Sequence, residues 1–62
     1  MRWQRTSETS MRCDPWTVAR VKVKGVFFYE LWHDKQPAVA GRYASFEVAK
    51  VAAENFEKDG QG

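Results

Sequence analysis

The sequence predicts an α+β fold in two layers, an antiparallel β-meander of three to four strands packed on one C-terminal α-helix. Three observations predict it. Residues 16–32 hold two runs of β-branched and aromatic residues separated by Lys24-Gly25. Residues 46–58 contain neither Gly nor Pro and place small apolar side chains at helical spacing. The chain has 62 residues, enough for a single domain spanning 1–62 and too few for two lobes with a cleft between them. A domain of this size buries only about 60% of its unfolded surface, so its core is small.

Residues 1–15 are expected to be irregular or a weak hairpin. Met1–Arg5 and Ser10–Cys13 flank the polar run Thr6-Ser7-Glu8-Thr9-Ser10, and Asp14-Pro15 marks a turn. Residues 16–43 carry the meander. Trp16–Val23 alternates and is rich in β-branched residues, which predicts a strand. Gly25 supplies the positive φ that a tight hairpin needs, and Val26–Trp32 forms the returning strand. His33-Asp34-Lys35-Gln36-Pro37 is turn chemistry, because Pro37 cannot donate to a ladder. Ala38–Tyr43 supplies a short third strand in which Gly41 points to a bulge or a close approach.

The helix is expected over residues 45–58. Ser45 is a good N-cap, since its hydroxyl accepts from an N–H of the first turn. Val48, Ala49, Ala52, Ala53 and Phe56 make one apolar stripe, and the alanines let the helix lie close to a sheet. Glu54 and Lys58 are ordered for an i,i+4 pair. Asp59-Gly60 reads as the stop.

One helix covers one face of a sheet, so register decides what the other face presents. If Lys24-Gly25 is a two-residue loop, Val21 faces Phe28 and Arg20 faces Tyr29. Ala19, Val21, Val23, Val26, Phe28 and Trp32 are then assigned to the core. Trp16, Val18, Arg20, Lys22, Phe27, Tyr29 and Leu31 would lie on the open face. If Gly25 closes a three-residue bulged loop, Ala19, Val21, Phe27, Tyr29 and Leu31 go inside, and Phe28, Glu30 and Trp32 join the open face. Both registers assign Trp16, Val18, Arg20 and Lys22 to the open face. The bland alternative is that Met1–Cys13 folds across it, with Arg and Lys stems lying over the tryptophans.

Charge is unevenly divided. Residues 1–24 hold six basic and two acidic side chains, +4, whereas residues 25–62 sum to −2. The net +2 is too mild to prove a nucleic-acid partner. The single cysteine, Cys13, permits no internal disulfide, so a reducing, cytoplasmic setting is the expectation. The longest apolar run, Val26–Tyr29, is far short of the ~20 residues that span a bilayer. The N-terminal residues lack the apolar core of a secretory signal.

Catalysis is the least expected class. Cys13 and His33 would have to meet beside an orienting group to form a nucleophile pair. Cys13, Asp14, His33 and Asp34 show no metal-ligand spacing, and the glycines form no phosphate loop. Neither a cofactor nor a metal is expected.

Lys24–Leu31 echoes the RNA-recognition-motif signature at Lys24, Gly25 and Phe28, but departs from it at Val26, Phe27 and Leu31. That fold also needs a second helix. Phe46–Ala53 resembles the last helix of a double-stranded-RNA-binding domain, but Lys50 stands alone where that family has a basic cluster. Over residues 16–58 the order of three strands and a helix resembles the ethylene-response-type and integrase arm-type DNA-binding domains. They lay the free sheet face in the major groove with arginines and tryptophans. Trp16, Arg20, Lys22 and Trp32 fit those residue types, and Gly41-Arg42-Tyr43-Ala44-Ser45 leads into the helix in a similar way. The layout also looks like short uncharacterised proteins of bacteriophages and prophages.

The expected function is a small intracellular binding module, phage-derived if that resemblance holds, contacting nucleic acid through a basic and aromatic sheet face. Arg20, Lys22, Lys24 and Arg42 would meet phosphates, and Trp16 and Trp32 would stack or wedge. The alternative is a non-enzymatic accessory or inhibitor that uses the same face on a host or viral protein, or on a second copy of itself. Monomer and homodimer both stay open.

Overall fold

The structure, a computed structural model, describes residues 2–61, with side chains through residue 58. Five strands and a helix follow in order: β1 (Gln4–Ser7), β2 (Ser10–Cys13), β3 (Trp16–Val23), β4 (Val26–His33), β5 (Gly41–Tyr43) and α1 (Phe46–Gln61). Each strand pairs antiparallel with its chain neighbour, giving a sheet of order β1-β2-β3-β4-β5 backed by one helix. The two-layer α+β expectation therefore holds, with five strands in place of three to four. The extra pair is the N-terminal hairpin. Its first strand starts at Gln4 and reaches into the Thr/Ser run, while Met1 lies outside the described residues. Ser7 and Ser10 join their hydroxyls across the turn at 2.8 Å, and Thr6 and Ser10 theirs at 2.7 Å. The strands of this segment extend the sheet, and Trp3, ahead of them, packs partly buried against the core that holds Trp16 and Val18.

The β3–β4 hairpin turns on two residues, with Lys24 at φ 51° and Gly25 at φ 81°. Two positive φ values in succession make a type I′ turn, whose twist matches that of the strands it joins. The register is the one expected for a two-residue loop: Val21 opposite Phe28 and Arg20 opposite Tyr29. At Gly41 a side chain would place its Cβ 2.5 Å from Tyr43 Oη, so the glycine marks a close approach. Two residues, Ala44 and Ser45, then carry the chain from β5 into α1. The Ser45 hydroxyl accepts from Val48 N–H at 3.2 Å, closing the first turn.

Helix α1 lies over β3, β4 and β5. Ala49 and Ala53 are fully buried against Val18 and Leu31, also fully buried, and Trp16 completes the core. Small residues on the helix bring its axis close enough for the sheet side chains to fill the gap. Trp16 is held from three sides. Phe56 stacks on it at 5.6 Å, His33 meets it edge-on at 4.7 Å, and its indole N–H donates to Glu57 Oε1 at 2.7 Å.

Three expectations need correction. The helix continues through Asp59-Gly60 to Gln61, since a glycine permits a stop and does not compel one. On its surface, Lys50 pairs with Glu47 at 3.0 Å, and Glu54 and Lys58 form no ion pair. The third correction concerns the faces. The register is right, but the helix covers the face that carries Trp16, Val18 and Leu31. The other face carries Val21, Phe28 and Trp32, which the sequence assigned to the core in that register. The Ala44–Ser45 link starts α1 beside the end of β5, and the helix then runs from Phe46, packed on Tyr29, back to Phe56 and Glu57 at Trp16, along the face whose root half is apolar.

Candidate functional site

The predicted site residues do not share one surface. Trp16 is only 5% exposed beneath Phe56, so it cannot stack on a ligand. Arg20 and Lys22 lie on its face but past the region that the helix covers, and both are exposed. Their cationic groups sit 4.8 and 5.6 Å from the centre of the Phe27 ring. Lys24 is exposed in the turn. Trp32 and Arg42 belong to the opposite face, since successive side chains alternate across a sheet. Arg42 stands opposite Glu30 there and donates from Nε to Glu30 Oε2 at 3.0 Å.

The free face changes character along the β3–β4 hairpin. At the root, near Trp16 and His33, it joins the Trp32 indole, opposite Thr17, to a polar cluster that is internally satisfied. Arg12 donates to both carboxylate oxygens of Asp34 (3.1 and 2.5 Å), to Asp14 Oδ1 (2.7 Å) and to Thr17 Oγ1 (2.7 Å). These hydrogen bonds and the charge of Arg12 hold the Asp34 carboxyl below the ordinary aspartate range. Toward the turn the same face becomes apolar, with Val21, Val23, Val26 and Phe28 opposite one another in two rungs. Val23, Val26 and Phe28 are 49, 53 and 38% exposed. The helix-side face runs the other way, apolar at the root and basic at the tip with Arg20 and Lys22. Apolar character therefore crosses from one face to the other midway along the hairpin.

Every residue from 22 to 28 is exposed, so the tip projects as a two-stranded ribbon beyond the layered part of the molecule. Strand β5 pairs only with Tyr29, Glu30 and Leu31, and it leaves the β4 edge open at Val26–Phe28. A shallow hollow of about 540 Å³ follows this edge, lined by Val21, Val26, Phe28, Arg42 and Ala44 among others. The sequence predicts a third strand over Ala38–Tyr43; the observed β5 is only Gly41–Tyr43 beside two strands of eight residues, and that shortening opens the edge.

Cys13 and His33 flank Trp16 on β2 and β4, two strand spacings or roughly 10 Å apart across the sheet, so they form no nucleophile pair. His33 Nδ1 accepts from Lys35 N–H at 3.1 Å. Among the described residues no group of three His, Cys, Asp or Glu could hold a metal ion, and no helix is long and apolar enough to cross a membrane. In comparisons with family models, curated proteins and solved structures, the chain matches none of them. The resemblance to sheet-reading DNA-binding domains therefore stands on element order and residue type alone.

Proposed function

We propose that the chain is a non-enzymatic protein-binding module that docks through the apolar side of the β3–β4 ribbon. The observation that carries this reading is the crossing of apolar character along the hairpin. At the root, the apolar face meets the chain's own helix. At the tip, Val23, Val26 and Phe28 face the opposite way, where none of the described residues covers them. Exposed apolar groups gathered in one patch are what a protein partner buries at the centre of an interface. Both cations on that face that stand near a carboxylate, Arg12 and Arg42, are already paired, which favours an apolar contact over a phosphate contact there.

A second reading, nucleic-acid binding, draws on a different observation. Arg20, Lys22 and Lys24 have no carboxylate partner among the described residues, and a two-stranded ribbon fits the major groove. This reading retains three of the predicted site residues and drops Trp16, Trp32 and Arg42.

One experiment separates the two. Binders are selected from a displayed peptide library against the native chain and retested against the Val23→Asp/Phe28→Asp double variant at moderate salt. In parallel, amide shifts are recorded with duplex and single-stranded DNA at low and moderate salt. The protein-binding reading expects selected peptides that lose affinity for the variant, and no DNA-induced shifts at moderate salt. Salt-sensitive DNA shifts centred on Arg20, Lys22 and Lys24, with no peptide dependent on Val23 and Phe28, would replace it with the second reading.

A further inference from the structure

Resting on the protein-binding reading, we infer that the open edge of β4 accepts an extended peptide segment by strand addition, and that this segment alternates acidic and apolar side chains. Three features lead there. Along Val26–Phe28 the N–H and C=O groups of Val26 and Phe28 turn to β3, whereas those of Phe27 turn to the outer edge, where no strand pairs with them among the described residues. Edge strands usually carry a charge, a proline or a bulge that blocks pairing, and Val26-Phe27-Phe28 carries none of these. The hollow beside the edge continues the line of β5, at the point where the chain leaves the sheet through Ala44. An added strand would complete the sheet where β5 stops short.

The side chains around the edge specify what fits. Successive residues of an added strand face opposite sides of the sheet. On one side they would meet Val26, Phe28 and Val21, with the mutually paired Glu30 and Arg42 next along that face, which calls for apolar groups beside the valines and Phe28. On the other they would meet Phe27 with Arg20 and Lys22 over its ring, cations without carboxylate partners among the described residues. Acidic groups complement them. A second copy of the chain is the poorer occupant. Pairing β4 with its own symmetry mate would bring two sets of Arg20, Lys22 and Lys24 together, and like charges oppose that association.

The test follows backbone amides during titration with a capped seven-residue peptide alternating glutamate and valine. Three comparison peptides are used: its lysine–valine counterpart, and two versions of the parent N-methylated at all valines or at all glutamates. The expected result is a shift of the Val26, Phe27 and Phe28 amides that weakens with salt. The lysine–valine peptide should bind at least about tenfold more weakly, a difference of roughly 1.4 kcal/mol. One N-methylated peptide should lose binding and the other keep it, because only alternate N–H groups of a strand point toward its neighbour. If both N-methylated peptides bind like the parent, strand addition is overturned while docking through side chains survives. If the Phe27 amide, the one of the three turned to the open edge, is already protected from exchange in a dimer seen by sedimentation, a second copy holds the edge and the inference fails. If no peptide shifts these amides at millimolar concentration, the inference fails as well. The library selection then still decides the protein-binding reading on its own.

Discussion

The root and the tip of the β3–β4 hairpin are made of similar residues, yet they are stabilised in different ways. At the root, Trp16, Val18 and Leu31 are shut beneath α1, with Ala49 and Ala53 closing the layer. At the tip, an equally apolar set, Val21, Val23, Val26 and Phe28, projects from the opposite face with no second layer. The same hairpin ladder runs through both. The difference is therefore tertiary: it depends on where α1 packs, from Tyr29 back to Trp16. A two-stranded ribbon is marginal by itself. The tip is held by its turn, by Arg20 and Lys22 over Phe27, and by continuity with the root.

That contrast can be broken first at the root. Replacing Leu31 by Ala leaves a cavity between sheet and helix and should cost about 2–5 kcal/mol, enough to unfold most of a domain this small. Urea denaturation followed by tryptophan fluorescence would measure it, and a loss under about 1 kcal/mol would mean that the root is not the core. The turn comes next. Lys24 is a non-glycine residue at positive φ, and left-handed geometry costs most L-residues roughly 1–2 kcal/mol. Lys24→Asn should therefore stabilise the chain by about 0.5–1 kcal/mol, read as a higher denaturation midpoint with unchanged slope. At the tip face, Val26→Thr keeps the β-branched shape at a site more than half exposed. It should change stability by no more than about 0.5 kcal/mol while weakening any docked partner, so thermal melts and peptide titrations should disagree.

The smallest expected effect sharpens the comparison from the polar end of the free face. Because Arg12 holds the Asp34 carboxyl below its ordinary value, this pair stabilises the fold fully only above the unfolded aspartate pKa of about 3.9. The contribution should fade as pH falls further, through the lower folded value. Asp34 is exposed and Arg12 partly so, and the effect should therefore also shrink with salt. Melting curves of native chain and Arg12→Ala should converge below that pH, and parallel curves throughout would show that the pair contributes nothing.

Much of the fold was legible in the sequence because it is written in local chemistry. Lys24-Gly25 marked the turn but left two registers open, Ser45 marked the cap, and Ala49 and Ala53 of the apolar stripe marked the face of the helix that packs, although Val48 of that stripe is half exposed. Gly41 announced a close approach, which Tyr43 makes. What was not legible is which face of the sheet the helix covers. Alternation gives two half-apolar faces that exchange character along the hairpin, and a count of apolar residues favours the tip set. Only the landing point of α1 decides. That error moved Trp16 from a supposed contact surface into the core. Trp32 and Arg42 are parted from Arg20 and Lys22 by the register itself, whichever face the helix covers. Arg42 became ion-paired because β5 sets it opposite Glu30, a register that the short, glycine-led strand did not advertise.

The meander itself has a kinetic consequence. Every strand pairs with its neighbour in the chain, so the sheet assembles through short loop closures of low entropic cost. The ribbon, closed by a two-residue turn, is the element best placed to form early. The helix can add only after β5 has been positioned, because its cover depends on the root being assembled. Changes at Lys24 should then appear chiefly in the folding rate, and changes at Ala49 or Ala53 chiefly in the unfolding rate. The segment exposed to partners would be the one that forms first, so strand-pairing competitors would meet an open β4 edge before the chain has finished closing its core.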